Sequence, residues 1–106
     1  MKDNLGQVGF ACEIHQPAGL PAVVRVTGEV DAATAPQVQE ALVSAAGFGC
    51  GVDVDLSGVE FIDSTGLRAL IIGRQAIDDA QRLRITGSNS IVDRLLELTG
   101  LTEFLK

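Results

Sequence analysis

The chain has 106 residues, of which 46% are hydrophobic and 21% charged, and its formal net charge is −6. This length fits one domain with one core, and the composition is far from that of a disordered chain. The acidic balance argues against direct nucleic acid binding, which needs clustered Lys and Arg, and favours a basic or neutral protein partner. No apolar run approaches the roughly 20 residues that cross a bilayer, so we expect a cytoplasmic protein without membrane insertion.

The two cysteines and the single histidine predict no metal site. Cys12 and Cys50 have no CxxC or Cys/His spacing, so neither zinc binding nor a disulfide framework is indicated. His15 is expected on the surface of the first strand. The sequence also lacks a P-loop, a dinucleotide glycine fingerprint and any Ser/His/Asp grouping, which predicts a protein that is not an enzyme and needs no cofactor.

Four short stretches alternate between apolar and polar residues, the period of a strand with one buried face. They are residues 10–15, 22–28, 52–56 and 83–86. The link 17–21, rich in Pro and Gly, predicts a hairpin turn between the first two. Ser57-Gly58 is expected to turn the chain after the third, with Phe61 and Ile62 returning to the core.

Three helical segments separate or follow the later strands. The first is predicted at 35–46, with Thr34 as N-cap, Pro36 in its first turn, and Val38, Leu42 and Ala45 on the core stripe. The second is predicted at 65–80 and the third at 90–99. The core positions expected in these two helices are Leu67, Leu70, Ile71, Ile77, Ile91, Leu95 and Leu98, with a Ser90 cap and a Gly100 stop for the third.

The alternation in all four strands decides the layer arrangement. Strands covered on both faces would be continuously apolar, so we expect helices on one face only. Strands joined through helices lie parallel, while the opening hairpin is antiparallel. The prediction is a single α/β domain over residues 1–106, with 1–7 as a flexible N-terminal segment. It has a small mixed sheet of about four to five strands and the order β-β-α-β-α-β-α.

The segment Asp63-Ser-Thr-Gly66 leads into the second helix and places Ser64 near its first turn. A helix start leaves about four N–H groups without intrahelical partners and favours an anion, and a glycine there permits close approach to the backbone. Two interpretations are open. Asp, Ser and Thr are ordinary N-caps, and a serine there can also be a modified or ligand-binding residue.

The stretch Val54-Asp-Leu-Ser-Gly-Val-Glu-Phe-Ile-Asp-Ser-Thr-Gly-Leu-Arg-Ala-Leu70 resembles the signature of the STAS superfamily, in particular its anti-sigma factor antagonists. A second segment, Val24-Arg-Val-Thr-Gly-Glu-Val-Asp-Ala-Ala-Thr-Ala-Pro36, resembles the family's element between the second strand and the first helix. Residues 91–104 resemble its closing helix. The resemblance covers residues 22–104 and implies the same fold, a sheet with helices on one face.

The family resemblance implies a partner switch. An unphosphorylated antagonist binds an anti-sigma factor that is also a serine kinase, and so frees a sigma factor. Phosphorylation ends the binding, and a PP2C-type phosphatase restores it. By position the acceptor is Ser64, with Thr65 as the secondary candidate.

The same resemblance suggests a partner-binding surface around the acceptor. Its expected members are Asp31, Asp63, Thr65, Gly66, Arg68, Ala69 and Ile72. Arg68, Ala69, Ile72, Gly73 and Ala76 are expected to lie off the core stripe of the second helix. For Asp31 and Asp63, a role in capping or turn formation is the alternative. The alternative function is that of a STAS subunit regulating a transporter ATPase or a stress-signalling assembly.

Overall fold

A computed structural model describes residues 9–77 and 82–102 of the chain. Its elements are β1 (Phe10–His15), β2 (Ala22–Val30), α1 (Ala35–Ala46), β3 (Val52–Ile62), α2 (Ser64–Gln75), β4 (Leu83–Gly87) and α3 (Ser90–Thr99). Within these two ranges the predicted order is confirmed, and the sheet has four strands. The expected flexible segment 1–7 lies outside the described residues, as do positions 78–80 of the predicted second helix.

The four strands form one mixed sheet in the order β1-β2-β3-β4. β1 and β2 are antiparallel, whereas β2 pairs with β3 and β3 with β4 in parallel. The parallel pairs arise because α1 and α2 carry the chain back to the starting edge before the next strand begins. The carboxyl ends of β2 and β3 therefore lie side by side, with Val30 paired to Ile62.

One face of the sheet is covered by the helices and the other faces solvent, as predicted. In β2 the alternation is direct, since Val24 and Val26 are fully buried while Arg25 is exposed. On the open face Arg25 pairs with Asp55 at 3.4 Å, and Arg84 lies 3.9 Å from Asp53. These exposed pairs contribute little to stability.

The strand β3 is longer than predicted, because Ser57-Gly58 does not turn the chain. The register with β2 shifts there and again before Phe61, so β3 carries an extra residue at each place. Each extra residue inverts the inward and outward alternation. Val59 and Ile62 consequently face the core, whereas Phe61 is 47% exposed, and its predicted return to the core is wrong.

The helix starts confirm one predicted cap position and correct another. Thr34 is the N-cap of α1 as predicted, although its side chain makes no cap bond and its hydroxyl donates to the Glu29 carbonyl at 2.9 Å. At α3 the cap is Asn89 rather than Ser90, since the Asn89 Oδ1 accepts from the Val92 N–H at 3.0 Å. The end of α3 is as predicted: Gly100 adopts φ 73°, a left-handed conformation that glycine accepts without steric cost.

The core confirms the predicted stripe of α1 and the predicted burial of Leu67, Leu70 and Ile77, but it adds residues to the stripe of α2 and corrects that of α3. Ala69 and Gly73, expected off the core of α2, are both buried because α2 packs closely on α1. A Cβ on Gly73 would lie 2.6 Å from the Leu42 Cδ1. In α3, Ile91 and Leu98 are 45% and 73% exposed and Leu95 is half-buried. The buried residues of α3 are Val92 and Leu96.

Among the described residues, none of the helices combines the length and the apolar character that crossing a membrane requires.

Candidate functional site

The candidate site lies at the edge of the sheet where β2 and β3 both end. Asp31 directly follows β2 and Asp63 directly follows β3. The Asp63 N–H donates to the Val30 carbonyl at 3.3 Å, which ties the two segments together. The sheet therefore brings two parts of the chain that are far apart in sequence to one edge, as expected for parallel neighbours.

Asp63 is the N-cap of α2. Its Oδ1 accepts hydrogen bonds from the backbone N–H of Thr65 at 2.9 Å and of Gly66 at 3.2 Å. The Thr65 hydroxyl donates to the same oxygen. This hydroxyl, followed by the two backbone N–H donors, stabilises the carboxylate and lowers the pKa of Asp63, although partial burial opposes the shift. Asp63 is thus an ionised, well-fixed cap.

Ser64 and Thr65 are adjacent and both exposed, but their hydroxyl groups differ in bonding. The Thr65 hydroxyl is held by Asp63. Ser64 is the first residue of α2, and its side chain makes no hydrogen bond within the described part of the chain. The Ser64 hydroxyl is therefore free to bind a partner at the end of the sheet, whereas the Thr65 hydroxyl is already hydrogen-bonded to Asp63.

The helix start is less open to an added anion than the sequence suggests. Asp63 already occupies the N–H groups of Thr65 and Gly66, two of the donors that a helix start leaves free. A phosphate attached to Ser64 would therefore stand beside a carboxylate. The fold can still accommodate it, because Ser64 is exposed and its hydroxyl makes no hydrogen bond to the described residues.

Gly66 was expected to let a partner approach the backbone, and its surroundings assign it a different role. It is buried, and a Cβ added there would lie 2.7 Å from the Val30 Cγ1 and 2.8 Å from the Ile62 Cγ1. The missing side chain allows α2 to sit directly on the ends of β2 and β3. This packing holds the Ser64 turn against the sheet.

Asp31 has the role in turn formation that the sequence analysis gives as the alternative to partner binding. Its Oδ1 accepts from the backbone N–H of Ala33 at 3.0 Å and of Thr34 at 3.3 Å. These bonds fix the turn between β2 and α1. The carboxylate remains only partly buried at the same edge as Asp63, so a local role leaves part of it accessible.

The surface expected on α2 is smaller than predicted. Arg68 is exposed and Ile72 half-buried, so both reach the surface beyond Ser64 and Thr65. Ala69 is only 2% exposed and cannot offer a contact surface. The accessible strip therefore has Ser64 and Thr65 at its start and Arg68 and Ile72 farther along the helix.

Chemistry by a metal or a thiol finds little support in the described residues. No group of three or more His, Cys, Asp and Glu side chains in ranges 9–77 and 82–102 is placed to hold a metal ion. Cys50 is exposed and Cys12 half-buried. Burial, and to a lesser extent Glu13, raises the pKa of Cys12, which disfavours a reactive thiolate.

The sequence does not predict the contacts of Asn89 or the exposure of Phe61. Asn89 donates from Nδ2 to the carbonyl oxygens of Ser57 at 3.1 Å and Val59 at 2.8 Å, and so supports the irregular part of β3. Asn is a favoured cap, a signal that could have identified its helix role but not this contact. Phe61 is exposed next to the Ser64 turn, and only the two register shifts of β3 reveal its direction.

A four-stranded mixed sheet with helices on one face and an Asp-Ser-Thr-Gly helix start at its edge is the arrangement of a STAS domain. Residues 16–106 match the family model described as "Mlab, STAS domain". The chain belongs to the STAS domain family.

Its relatives narrow the comparison to one kind of STAS protein. The chain is 37% identical over 83 residues to the "Anti-sigma-B factor antagonist" of Listeria monocytogenes, covering 76% of this chain and 73% of that protein. It is 34% identical over 84 residues to the protein of the same name from Staphylococcus epidermidis, covering 77% and 78%.

Solved structures of anti-sigma factor antagonists match the fold of this chain. An anti-sigma factor antagonist from Mycobacterium paratuberculosis matches with a TM-score of 0.81 and 27% identity, over 91% of this chain and 82% of that one. The anti-sigma factor antagonist SpoIIAA in its unphosphorylated form matches with a TM-score of 0.73 over 91% of this chain and 86% of that one. At 15% identity, SpoIIAA supports the fold alone.

Proposed function

We propose that the protein is an anti-sigma factor antagonist, a cytoplasmic binding module rather than an enzyme. In the unphosphorylated state it binds an anti-sigma factor that is a serine kinase, and thereby releases a sigma factor. Phosphorylation of Ser64 by that kinase ends the binding, and a PP2C-type phosphatase restores it. The observation that carries the proposal is the free, exposed hydroxyl of Ser64 in a chain whose relatives are named antagonists.

The geometry supports Ser64 over Thr65 as the acceptor. A kinase needs a hydroxyl that can enter its active site and give up its proton to a base there. The Ser64 hydroxyl is exposed and has no partner among the described residues. The Thr65 hydroxyl would first have to leave Asp63.

The docking surface in this proposal is the accessible strip of α2 with the sheet edge beside it. Ser64, Thr65, Arg68 and Ile72 supply the strip, and Asp31 and Asp63 supply carboxylates at the edge. Gly66 contributes by bringing the helix close to the sheet. A partner that covers this surface would enclose the Ser64 hydroxyl.

Phosphorylation would oppose that contact through charge and size. A phosphate adds about −1.5 to −2 charges and three acceptor oxygens. At Ser64 it would stand next to the ionised Asp63, and an enclosing partner would have to remove water from both anions. A loss of roughly 3 kcal/mol would weaken binding about 100-fold.

The alternative, a STAS subunit of a transporter ATPase or a stress-signalling assembly, keeps the fold and changes the partner. The names of the relatives favour the antagonist. A pull-down with purified candidates of both kinds separates the two proposals. Stable binding to a transporter ATPase, with no binding to any kinase anti-sigma factor, would favour the alternative.

Incubation with candidate kinase anti-sigma factors and ATP, followed by mass spectrometry, tests the proposal. We expect a single phosphate on Ser64 with the cognate kinase. Ser90 provides a matched control, because it too is exposed and is the first residue of a helix after a capping side chain. Loss of labelling in Ser64→Ala but not in Ser90→Ala supports the proposal. Failure of every candidate kinase to label Ser64 contradicts it.

A further inference from the structure

We propose that Asp63 selects the phosphorylation acceptor by holding the Thr65 hydroxyl. This inference rests on the proposed function and adds a role for the residue before the acceptor. The two candidate hydroxyls are adjacent in sequence, both exposed, and both in the first turn of α2. Exposure and position therefore do not distinguish them.

The difference between them lies in one hydrogen bond. The Thr65 hydroxyl donates to the Asp63 Oδ1, and the Ser64 hydroxyl donates to nothing in the described ranges. The same carboxylate oxygen is fixed by the N–H groups of Thr65 and Gly66 at 2.9 and 3.2 Å. Because the helix start holds Asp63 in place, the Thr65 hydroxyl has a partner that does not move away.

A hydroxyl bonded to a carboxylate can in principle be activated, with the carboxylate as general base. One feature opposes activation here. Asp63 accepts three hydrogen bonds on one oxygen, and these donors make it a weaker base. The hydrogen bond to Asp63 therefore makes the Thr65 hydroxyl a poorer acceptor for phosphoryl transfer.

Transfer of the γ-phosphoryl group to either hydroxyl makes and breaks the same kinds of bond. The hydroxyl oxygen forms a bond to the γ-phosphorus of ATP, the bond to the ADP oxygen breaks, and the hydroxyl proton passes to the base of the kinase. For Ser64 that base can approach directly. For Thr65 the proton is directed at Asp63, so the bond to Asp63 must break first.

The test measures Thr65 phosphorylation in a Ser64→Ala background with the purified cognate kinase and ATP. Asp63→Gly removes the carboxylate, and glycine at an N-cap costs only a few tenths of a kcal/mol relative to the best caps. We expect little phosphate on Thr65 in Ser64→Ala alone. In Asp63→Gly/Ser64→Ala we expect a rise of about ten- to hundredfold, the range for releasing a hydrogen bond to a charged group.

Asp63→Asn/Ser64→Ala is the matched neutral variant. Asparagine retains a cap oxygen for the Thr65 N–H but removes the charge, so we expect a smaller rise than with glycine. An amide-exchange measurement on α2 checks that each variant keeps the helix start.

Two outcomes contradict the proposal. Because Asp63 also lies on the proposed docking surface, Thr65 phosphorylation in the glycine variant is divided by Ser64 phosphorylation in Asp63→Gly alone, which cancels any change in kinase docking. A ratio unchanged from that of the proteins that retain Asp63 shows that the bond selects nothing, and a lower ratio shows that Asp63 activates Thr65. An unmodified Ser64 in the wild-type protein contradicts the proposed function itself, which keeps the two failures distinguishable.

Discussion

At the residue scale, the site depends on three neighbouring side chains with different tasks. Asp63 closes the start of α2 with one oxygen, Thr65 is bound to that oxygen, and Ser64 between them is free. Capping explains Asp63 and Thr65 without any reference to function. Ser64 is an unbonded, exposed serine at the first helical position, and it is the residue that we propose as the phosphorylation acceptor.

Removal of the Asp63 side chain should destabilise the protein modestly. Asp63→Ala leaves the Thr65 and Gly66 N–H groups without their partner, and the loss of an N-cap typically costs about 1 kcal/mol. Urea unfolding measures the free energy of unfolding of both proteins. Ser64→Ala is the control, and we expect it to stay within about 0.5 kcal/mol of the wild type. An Asp63→Ala protein as stable as this control would show that the cap contributes nothing.

Asp63 should also make stability depend on pH in the acid range. Its pKa is lower in the folded protein than the value of about 4 in an unfolded chain. The stabilisation is therefore fully present above about pH 4, and it is lost as the pH falls through the folded pKa. Asp63→Asn cannot ionise, so the difference in unfolding free energy between wild type and variant should shrink from pH 6 to pH 2. A difference that is constant over this range contradicts the assignment.

At the element scale, the position of the Ser64 turn depends on close packing around two glycines. Gly66 brings α2 against the ends of β2 and β3, and Gly73 brings it against Leu42 of α1. A larger side chain at either position would push the helix away from the sheet or from its neighbour. Helix α2 is therefore held at both ends.

Gly73→Ala tests this packing. Alanine is favoured over glycine in a helix by about 1 kcal/mol. The added methyl would meet the Leu42 Cβ at 2.8 Å, and overpacking typically costs about 1–3 kcal/mol. We expect a net loss of about 1 kcal/mol and a lower Tm. Gln75→Ala, exposed on the same helix, should change little, and a Gly73→Ala protein with a raised Tm would contradict the close contact.

Asn89 connects α3 to the irregular part of β3, and a single substitution separates its two tasks. Asn89→Asp keeps an oxygen for the Val92 N–H but loses the donor to the carbonyls of Ser57 and Val59. Leaving such groups without a partner costs about 1–3 kcal/mol. Ser90→Asp adds the same charge to the same helix start without touching β3, and should be neutral or slightly stabilising. Equal unfolding free energies for the two variants would show that the contact to β3 is unimportant.

The sequence predicts element order, sheet type and most helix bounds because these depend on local periodicity and turn chemistry. Its errors fall where distant residues decide. Ser57-Gly58 has the composition of a turn, yet Asn89 supports it inside a strand. Ala69 and Gly73 carry little hydrophobic signal, and only the neighbouring helix buries them. Ser64 could be located from the motif, but the bonding that separates it from Thr65 requires the structure.

At the scale of the whole molecule, the two faces of the sheet have different character. The helical face contains the core, while Arg25–Asp55 and Arg84–Asp53 pairs balance charge on the open face. The net charge of −6 remains, and Asp31 and Asp63 lie at the edge that carries Ser64. A partner with complementary positive charge would be attracted to this edge over a distance.

Association with the anti-sigma factor should therefore depend on ionic strength. Raising salt from about 0.01 M to 1 M shortens the Debye length from about 30 Å to 3 Å and screens long-range attraction. We expect the association rate constant, measured by stopped-flow fluorescence of a labelled partner, to fall by roughly tenfold or more. A rate that does not change with salt would contradict electrostatic attraction between the two proteins.

The central claim is that one phosphate on Ser64 switches partner binding. Isothermal titration calorimetry of the cognate kinase anti-sigma factor, with unmodified and fully Ser64-phosphorylated protein, tests it most directly. We expect the phosphorylated form to bind about 100-fold more weakly, a difference of roughly 3 kcal/mol, with Ser64→Ala like the unmodified protein. Equal affinity of the two forms would contradict the switch.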